Sequence, residues 1–185
     1  MTLKPWRTLS RRLTFRTRRI AIYTETVELP DGRVVDDYEQ FDMASFVIML
    51  VQTTDGGVIC ERQYKHGIRR VCLTLPGGQV EDGEEPLAAA QRELLEETGY
   101  VAEDWTEFGS FRTHANQGGA TVTYFHATGA IQVQPPHSGD LEDMAIEVLP
   151  VPRLLEAVTA GEFQVVADLG AVLMALLRTP LRQTP

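Results

Sequence analysis

The stretch Gly78–Tyr100 reads GQVEDGEEPLAAAQRELLEETGY and decides which fold this 185-residue chain can form. Pro86 suits the first turn of a helix, where a backbone N–H would have no partner within the helix. The residues that follow are strong helix formers, and Gly99 is the type of residue that ends a helix. We therefore predict a helix between these two positions. Its core-facing side is expected to contain Leu87, Ala90, Leu94 and Leu95.

Three carboxylates gather on the other face of this predicted helix. Glu93, Glu96 and Glu97 share a face because helix residues three and four positions apart are neighbours. They repel each other unless a cation neutralises them, and hard oxygen ligands suit Mg²⁺ or Mn²⁺. A solvated acidic helix is the alternative, but it leaves the preceding turn, Leu75–Gly78 (LPGG), unexplained. Because glycine lets backbone and ligand approach closely, turn and helix together indicate a divalent-cation site.

The same residues resemble the Nudix box, GX5EX7REUXEEXGU, in which U is an apolar residue. Every polar position of the box is matched, by Gly78, Glu84, the acidic run that starts at Arg92, and Gly99. The last apolar position is Tyr100 instead of an aliphatic residue. Because so many positions match at fixed spacing, the chain is identified as a member of the Nudix hydrolases.

The resemblance implies a role for each polar residue of the box. Glu93 and Glu97 would be the main metal ligands, and the carbonyl of Gly77 would complete the shell of the first metal. Glu96 would hold a second metal directly or through water, and Arg92 would orient the glutamates. The expected cofactor is Mg²⁺ or Mn²⁺, which would neutralise a diphosphate and activate the attacking water.

Apolar patterns elsewhere predict strands and two further helices. Ile20–Leu29 and Arg33–Phe41 flank a Pro-Asp-Gly turn and are typical of a β-hairpin. Further strands are predicted over Ala44–Gln52, Val58–Tyr64, Val71–Leu75, Trp105–Arg112, Val122–Ala127, Ile131–Pro136 and Ala145–Leu149. Helices are predicted over Arg153–Thr159 and Val165–Arg178, the latter with Val165, Leu169, Val172, Leu173, Leu176 and Leu177 inward.

These elements predict an α/β fold: a Nudix-type α/β/α sandwich with a mixed sheet, preceded by a small N-terminal β subdomain. We assign residues 1–42 to an N-terminal β-strand and dimerisation segment and residues 43–185 to a Nudix hydrolase domain. The run Phe46–Val51 is expected to be a central strand that is buried on both faces.

One branch of the family, the ADP-ribose (ADP-sugar) pyrophosphatases, is similar over nearly the whole chain. The similar segments are Thr26–Arg33, Arg62–His66, Leu75–Gly83 and Leu154–Asp168. This resemblance implies hydrolysis of a nucleoside diphosphate sugar, with ADP-ribose giving AMP and ribose 5-phosphate, and a homodimer formed by the N-terminal strands.

Two other functions stay open on the sequence. The branch usually carries a proline about fifteen residues beyond the box, where this chain has His114–Gly119 without one. The enzyme could therefore act on another nucleotide sugar, such as GDP-mannose, or on a dinucleotide. A non-catalytic sensor of ADP-ribose-type ligands is the third possibility, and the complete set of box glutamates argues against it.

Residues outside the box supply candidates for the general base and for substrate contacts. Relatives carry the base on a mobile acidic loop, and here Asp140–Asp143 fits; we favour Glu142 and leave Asp140 and Asp143 as alternatives. Lys65 and Arg70, next to Arg69, are candidates to bind phosphate, and Tyr38 is a candidate to stack on a base.

Composition bears on nucleic-acid binding, membrane insertion and the cellular compartment. The net charge of −9 argues against a nucleic-acid partner, and no apolar run is long enough to span a membrane. Residues 1–19 hold seven basic residues and no acid, which is typical of a solvated or dimer-contacting arm or of an organellar transit peptide. Cys60 and Cys72 lie in apolar segments and indicate no disulfide framework, so we expect a cytoplasmic protein.

Overall fold

The structure is a computed structural model that describes residues 3–137 and 144–178. These residues form two compact units. The first comprises the chain up to Ser45 together with Phe111–Thr121, and the second comprises Phe46–Ser110 and the residues from Val122 onward. The functional division between residues 42 and 43 remains a prediction.

The first unit is built on three antiparallel strands. They are β1 (Arg7–Arg16), β2 (Ile20–Glu28) and β3 (Val34–Met43), with β2 between the other two. The β2–β3 pairing confirms the predicted hairpin. The basic start of the chain forms a strand, and its contact with a second subunit stays a prediction. Every residue of β1 is exposed, so its arginines reach partners such as Glu28 (2.6 Å from Arg7) across the sheet surface.

The second unit is built on a mixed sheet. Its strands are β4 (Phe46–Thr53), β5 (Val58–Lys65), β6 (Arg70–Thr74), β7 (Tyr100–Val101), β8 (Asp104–His114), β9 (Gly118–Gln132) and β10 (Met144–Leu149). Strands β8 and β9 each contribute one end, residues 111–114 and 118–121, to the first unit. β4 runs parallel to β9, whereas β5 is antiparallel to β4, β6 and β10. The strand predicted over residues 131–136 is wrong beyond Gln132, where β9 ends.

Helices cover both faces of this sheet. They are α1 (Pro86–Glu93), α2 (Val151–Thr159) and α3 (Val166–Arg178). Side chains alternate along β4 because successive residues of a strand point to opposite faces. Val47 and Met49 pack with the residues of α1, whereas Ile48 and Leu50 pack with those of α2 and α3. β4 is therefore buried on both faces, as predicted, and the α/β/α sandwich is confirmed.

The last helix faces the core mainly through small residues; of the residues predicted inward, Val172 is buried and Leu169 is partly buried against the core, whereas three leucines are not. The buried residues of α3 are Asp168, Ala171, Val172 and Ala175, while Leu173, Leu176 and Leu177 are exposed. Gly170 has no room for a side chain, since a Cβ there would lie 2.6 Å from the hydroxyl oxygen of Tyr124. In α1 the prediction for Leu87 is likewise wrong, since Leu87 is exposed and Ala89 packs inward with Ala90.

Within residues 3–137 and 144–178, no helix has the length and apolar character needed to cross a membrane. Cys60 and Cys72 are both buried and unpaired, which agrees with their predicted role as small core residues.

Candidate active site

The two glycines that precede α1 allow a very close approach of chain segments. The Val47 N–H donates to the carbonyl oxygen of Gly78 at 2.9 Å, which fixes the turn against β4. A Cβ at Gly77 would lie 2.4 Å from the Val47 carbonyl oxygen, and a Cβ at Gly78 would lie 2.1 Å from the carboxyl carbon of Glu93. Any larger residue at position 78 would therefore displace the Glu93 carboxylate.

A wide π-helical turn, Leu94–Thr98, continues α1 and ends at Gly99, whose φ of 76° places it in the left-handed region. The Thr98 hydroxyl donates to the Leu94 carbonyl at 2.6 Å inside this turn. The predicted common face of the three glutamates is therefore only partly present. Glu96 is exposed, but Glu97 is only 6% exposed and faces the interior.

Arg92 is the centre of an outer group of carboxylates. Its guanidinium donates to both carboxylate oxygens of Glu84 at 3.0 Å, to Glu93 at 2.8 Å and to Glu96 at 3.2 Å. It also donates to the carbonyl oxygen of Gln79 at 3.0 Å. The hydrogen bonds that Arg92 donates lower the pKa of Glu84. The same bonds, accepted by Glu84 and Glu93, raise the pKa of Arg92. The predicted orienting residue thus contacts three of the box glutamates.

An inner group of carboxylates lies behind this outer group. The Gly77 N–H donates to Glu97 at 3.0 Å, and Glu97 also faces Glu61, a fully buried residue of β5. Burial first, and the charge of Glu61 second, raise the pKa of Glu97; burial also raises the pKa of Glu61. Asp168 accepts the Leu75 N–H at 3.1 Å, and burial raises the pKa of Asp168 to about 7.

A polar cavity of about 350 Å³ opens between the glycine turn and the acidic helix. It brings together six of the predicted site residues. The lining residues are Lys65, Gly77, Gly78, Gln79, Glu81, Arg92, Glu93, Glu96 and Glu97.

Two predicted site residues, Arg70 and Tyr38, do not line this cavity, and a third lies outside the described residues. Arg70 is the exposed first residue of β6. Tyr38 belongs to the first unit, where its hydroxyl donates to the Asn116 carbonyl at 2.9 Å and its ring meets Trp6 edge-on. Glu142, like its neighbours Asp140 and Asp143, lies outside the described residues.

The donor atoms of the cavity fit a hard divalent cation. Glu81, Glu93, Glu96 and Glu97 bring carboxylate oxygens to the cavity, and Mg²⁺ and Mn²⁺ prefer such oxygens. No three acidic, histidine or cysteine side chains of the described residues converge on one point, because Arg92 holds Glu93 and Glu96 while the Gly77 N–H holds Glu97. Burial raises the pKa of Glu97, so a cation bound beside it would favour its charged form.

Comparison with known proteins agrees with this site. Residues 42–169 match the NUDIX domain. The chain belongs to the Nudix family. Membership confirms the predicted class of enzyme, a pyrophosphohydrolase that works with a divalent metal.

This Nudix protein is similar to two named relatives and to one solved structure. It is 32% identical over 145 residues to the "ADP-ribose pyrophosphatase" of Bacillus subtilis (strain 168), covering 78% of this chain and 77% of that protein. It is 30% identical over 146 residues to the "ADP-ribose pyrophosphatase" of Mycobacterium tuberculosis (strain ATCC 25618 / H37Rv), covering 77% and 69%. The solved structure described as an ADP compounds hydrolase has a TM-score of 0.82 at 19% identity over 96% and 95% of the two chains, which shows a common fold.

Sequence reasoning about this Nudix protein missed two buried acids, Glu61 and Asp168. A signal for Glu61 was present, because an acid in the otherwise apolar start of a predicted strand is unusual. For Asp168 the helical pattern gave no signal, since it predicts only which apolar residues of α3 face inward.

Proposed function

We propose that this Nudix hydrolase cleaves the diphosphate of ADP-ribose to give AMP and ribose 5-phosphate. The observation that carries the proposal is the joint placement of Arg92, its glutamates and the Gly77–Gly78 turn around one polar cavity. Two relatives that share about three-quarters of this chain carry the name ADP-ribose pyrophosphatase, which supports this substrate.

We assign the metal site to Glu93, Glu97 and the Gly77 carbonyl, with Glu96 for a second ion. Mg²⁺ is the proposed metal, with Mn²⁺ as the substitute, and when bound it neutralises the diphosphate and acidifies a water. Arg92 holds Glu93 and Glu96 in place through its hydrogen bonds. Lys65, at the cavity wall, binds a phosphate oxygen of the substrate.

A hydrolysis panel with product identification tests the substrate. ADP-ribose, GDP-mannose and a dinucleotide are compared with Mg²⁺, with Mn²⁺ and with a chelator. GDP-mannose belongs in the panel because His114–Gly119 lacks the proline of the ADP-ribose branch. We expect metal-dependent release of AMP and ribose 5-phosphate with the highest kcat/KM for ADP-ribose. Tight binding of ADP-ribose without turnover in any metal would instead establish the sensor function.

The general base is proposed to be Glu142. Water on Mg²⁺ is less acidified than water on Zn²⁺, so a carboxylate that removes its proton is needed. Glu142→Gln is expected to lower kcat strongly with little change in KM, because the lost interaction acts in the transition state. Asp140→Asn and Asp143→Asn are matched controls; a large loss of kcat in one of them, with Glu142→Gln active, moves the base to that neighbour.

The protein is proposed to be a cytoplasmic homodimer. Strand β1 presents Leu9, Leu13 and Phe15 at 44%, 46% and 52% exposure, and a small β-sheet without a core of its own is marginally stable. Light scattering is expected to give twice the mass of the chain, and an active monomer at micromolar concentration would refute the dimer.

The two unpaired cysteines support a reducing compartment, which cell fractionation tests.

A further inference from the structure

Glu61 is an acidic residue in the interior of the second unit, where an acid is unusual. It lies in β5 after the buried residues Val58, Ile59 and Cys60, and only 1% of its own surface is exposed. One carboxylate oxygen accepts a hydrogen bond from the Gln63 side chain at 3.0 Å. The other oxygen, Oε1, is buried and has no hydrogen-bond partner among the described residues. A carboxylate in this position destabilises the fold, since burial of an incompletely paired charge is unfavourable.

The neighbours of Glu61 do not explain why an acid stands there. Gln63 also donates to the Thr74 hydroxyl at 2.8 Å, and that hydroxyl donates to the backbone carbonyl of Glu61, so these groups are satisfied by each other. An apolar side chain of similar size would fill the same space without the penalty of a buried charge. The acid therefore indicates a partner outside the strand.

Glu97 is the residue toward which Glu61 is directed. The two carboxyl groups interact side chain to side chain, although both would carry the same charge. Lys65 favours the charge of Glu61 from the wall of the cavity, while Asp168 opposes it. Two facing buried carboxylates, one of them the proposed metal ligand Glu97, are favourable when a divalent cation is close. The affinity of such sites rises with the number of ligand charges.

We propose that Glu61 is a positioning residue of the cation site. It supports Glu97 from the interior and adds a fourth carboxylate charge to those of Glu93, Glu96 and Glu97. This inference rests on the metal site of the proposed function, but not on the identity of the substrate. Its chemistry calls for a hard divalent cation.

Binding of Mn²⁺ to the whole chain without substrate tests the role of Glu61. Mn²⁺ titrations followed by electron paramagnetic resonance or calorimetry compare wild type, Glu61→Gln and Glu156→Gln. Glu156 is exposed on α2, so its variant has the same change in net charge without a change at the site. Glu61→Gln is expected to weaken Mn²⁺ binding roughly 10-fold or more, as other residues that support metal ligands do. Glu156→Gln is expected to match wild type.

Melting in the presence of a chelator separates a positioning role from a purely structural one. Glu61→Gln keeps size and removes a buried charge, so its melting temperature without metal is expected to equal or exceed that of wild type. Glu61→Asp keeps the charge and is expected to bind Mn²⁺ more tightly than Glu61→Gln.

Three results overturn the inference: wild-type Mn²⁺ affinity in Glu61→Gln, a lower melting temperature of that variant in chelator, or weaker binding by Glu61→Asp than by Glu61→Gln. Because no substrate is present, failure here leaves ADP-ribose hydrolysis standing. If ADP-ribose is not hydrolysed, the effect of Glu61→Gln on Mn²⁺ affinity still tests the role of Glu61.

Discussion

Two groups of acids lie near α1 and the turn that continues it, and they differ in what stabilises them. The outer group, Glu84, Glu93 and Glu96, surrounds the guanidinium of Arg92 with hydrogen bonds of 2.8–3.2 Å. The inner group, Glu61, Glu97 and Asp168, is almost fully buried and accepts hydrogen bonds from amide groups of the backbone and of Gln63.

The two groups of acids differ in their hydrogen-bond partners, and this difference indicates two different roles for their negative charge. A carboxylate that is already bonded to an arginine gains less from a metal than a buried one that accepts hydrogen bonds from neutral amide groups. We therefore expect Arg92 and the outer group to maintain the shape of the site, and the buried Glu97 to contribute more to cation affinity than Glu93 or Glu96. Each of the three predictions below alters one group and leaves the other intact.

The largest effect is expected from Glu97→Gln. The substitution keeps the size of the side chain and leaves an oxygen to accept the Gly77 N–H, but it removes the charge that holds the cation. Turnover of ADP-ribose is expected to fall by roughly 100-fold or more, because a bound metal supplies several kcal/mol of the reduction in the barrier. Steady-state kinetics and circular dichroism check activity and folding together. Near-normal turnover at saturating Mg²⁺ would contradict the metal assignment.

A smaller effect is expected from Arg92→Lys in the outer group. Lysine keeps the charge but loses the planar fork that reaches Glu84 with two nitrogens. We expect the free energy of unfolding to fall by about 1–3 kcal/mol, the usual range for hydrogen bonds to charged groups. Urea unfolding measures this change, and kcat should fall less than in Glu97→Gln. Arg33→Lys, at an exposed turn with Asp31 as partner, is the matched control. A larger loss of kcat than in Glu97→Gln would reverse the proposed division of roles.

The smallest effect is expected from Asp168→Asn, and it depends on pH. Burial raises the pKa of Asp168 from 3.8 to about 7, so the folded protein holds this proton more tightly than the unfolded chain. The contribution of Asp168 to stability is therefore present below about pH 4 and is lost as pH rises through about 7. Asn cannot ionise and still accepts the Leu75 N–H through its oxygen.

The variant is thus expected to match the free energy of unfolding of wild type near pH 4 and to exceed it at pH 8, where the buried carboxylate of wild type must ionise. Urea unfolding at both pH values measures the difference. A constant difference between the two proteins across this range would show that burial of Asp168 has no electrostatic consequence.

Sequence patterns predicted the parts of this fold that bury an apolar face. The run Phe46–Val51 and the hairpin around Asp31 were recognisable because their patterns reflect burial or a turn. Strand β1 was missed for the opposite reason: all ten of its residues are exposed, so no apolar periodicity marks it.

The outer acids were predictable, whereas the inner group was not. Arg92 and its glutamates are close together in sequence, and their spacing along a helix determines which of them meet. Glu61 comes close to Glu97 through the pairing of β5, and Asp168 meets the Leu75 N–H through the packing of α3; no local pattern records such contacts. The direction of Glu97 was missed as well, because the prediction assumed a regular α-helix through Thr98.

The wide turn at Leu94–Thr98 makes the inward direction of Glu97 a matter of residue number as well as residue type. Each residue advances a regular α-helix by about 100° around its axis, so removing one residue from the turn would rotate Glu97 toward the surface even if all the glutamates were retained. A homologue with every acid of the box but one residue fewer in this turn would keep the composition of the site and lose its buried ligand. Insertions and deletions at this point are therefore as informative about activity as substitutions of the acids themselves.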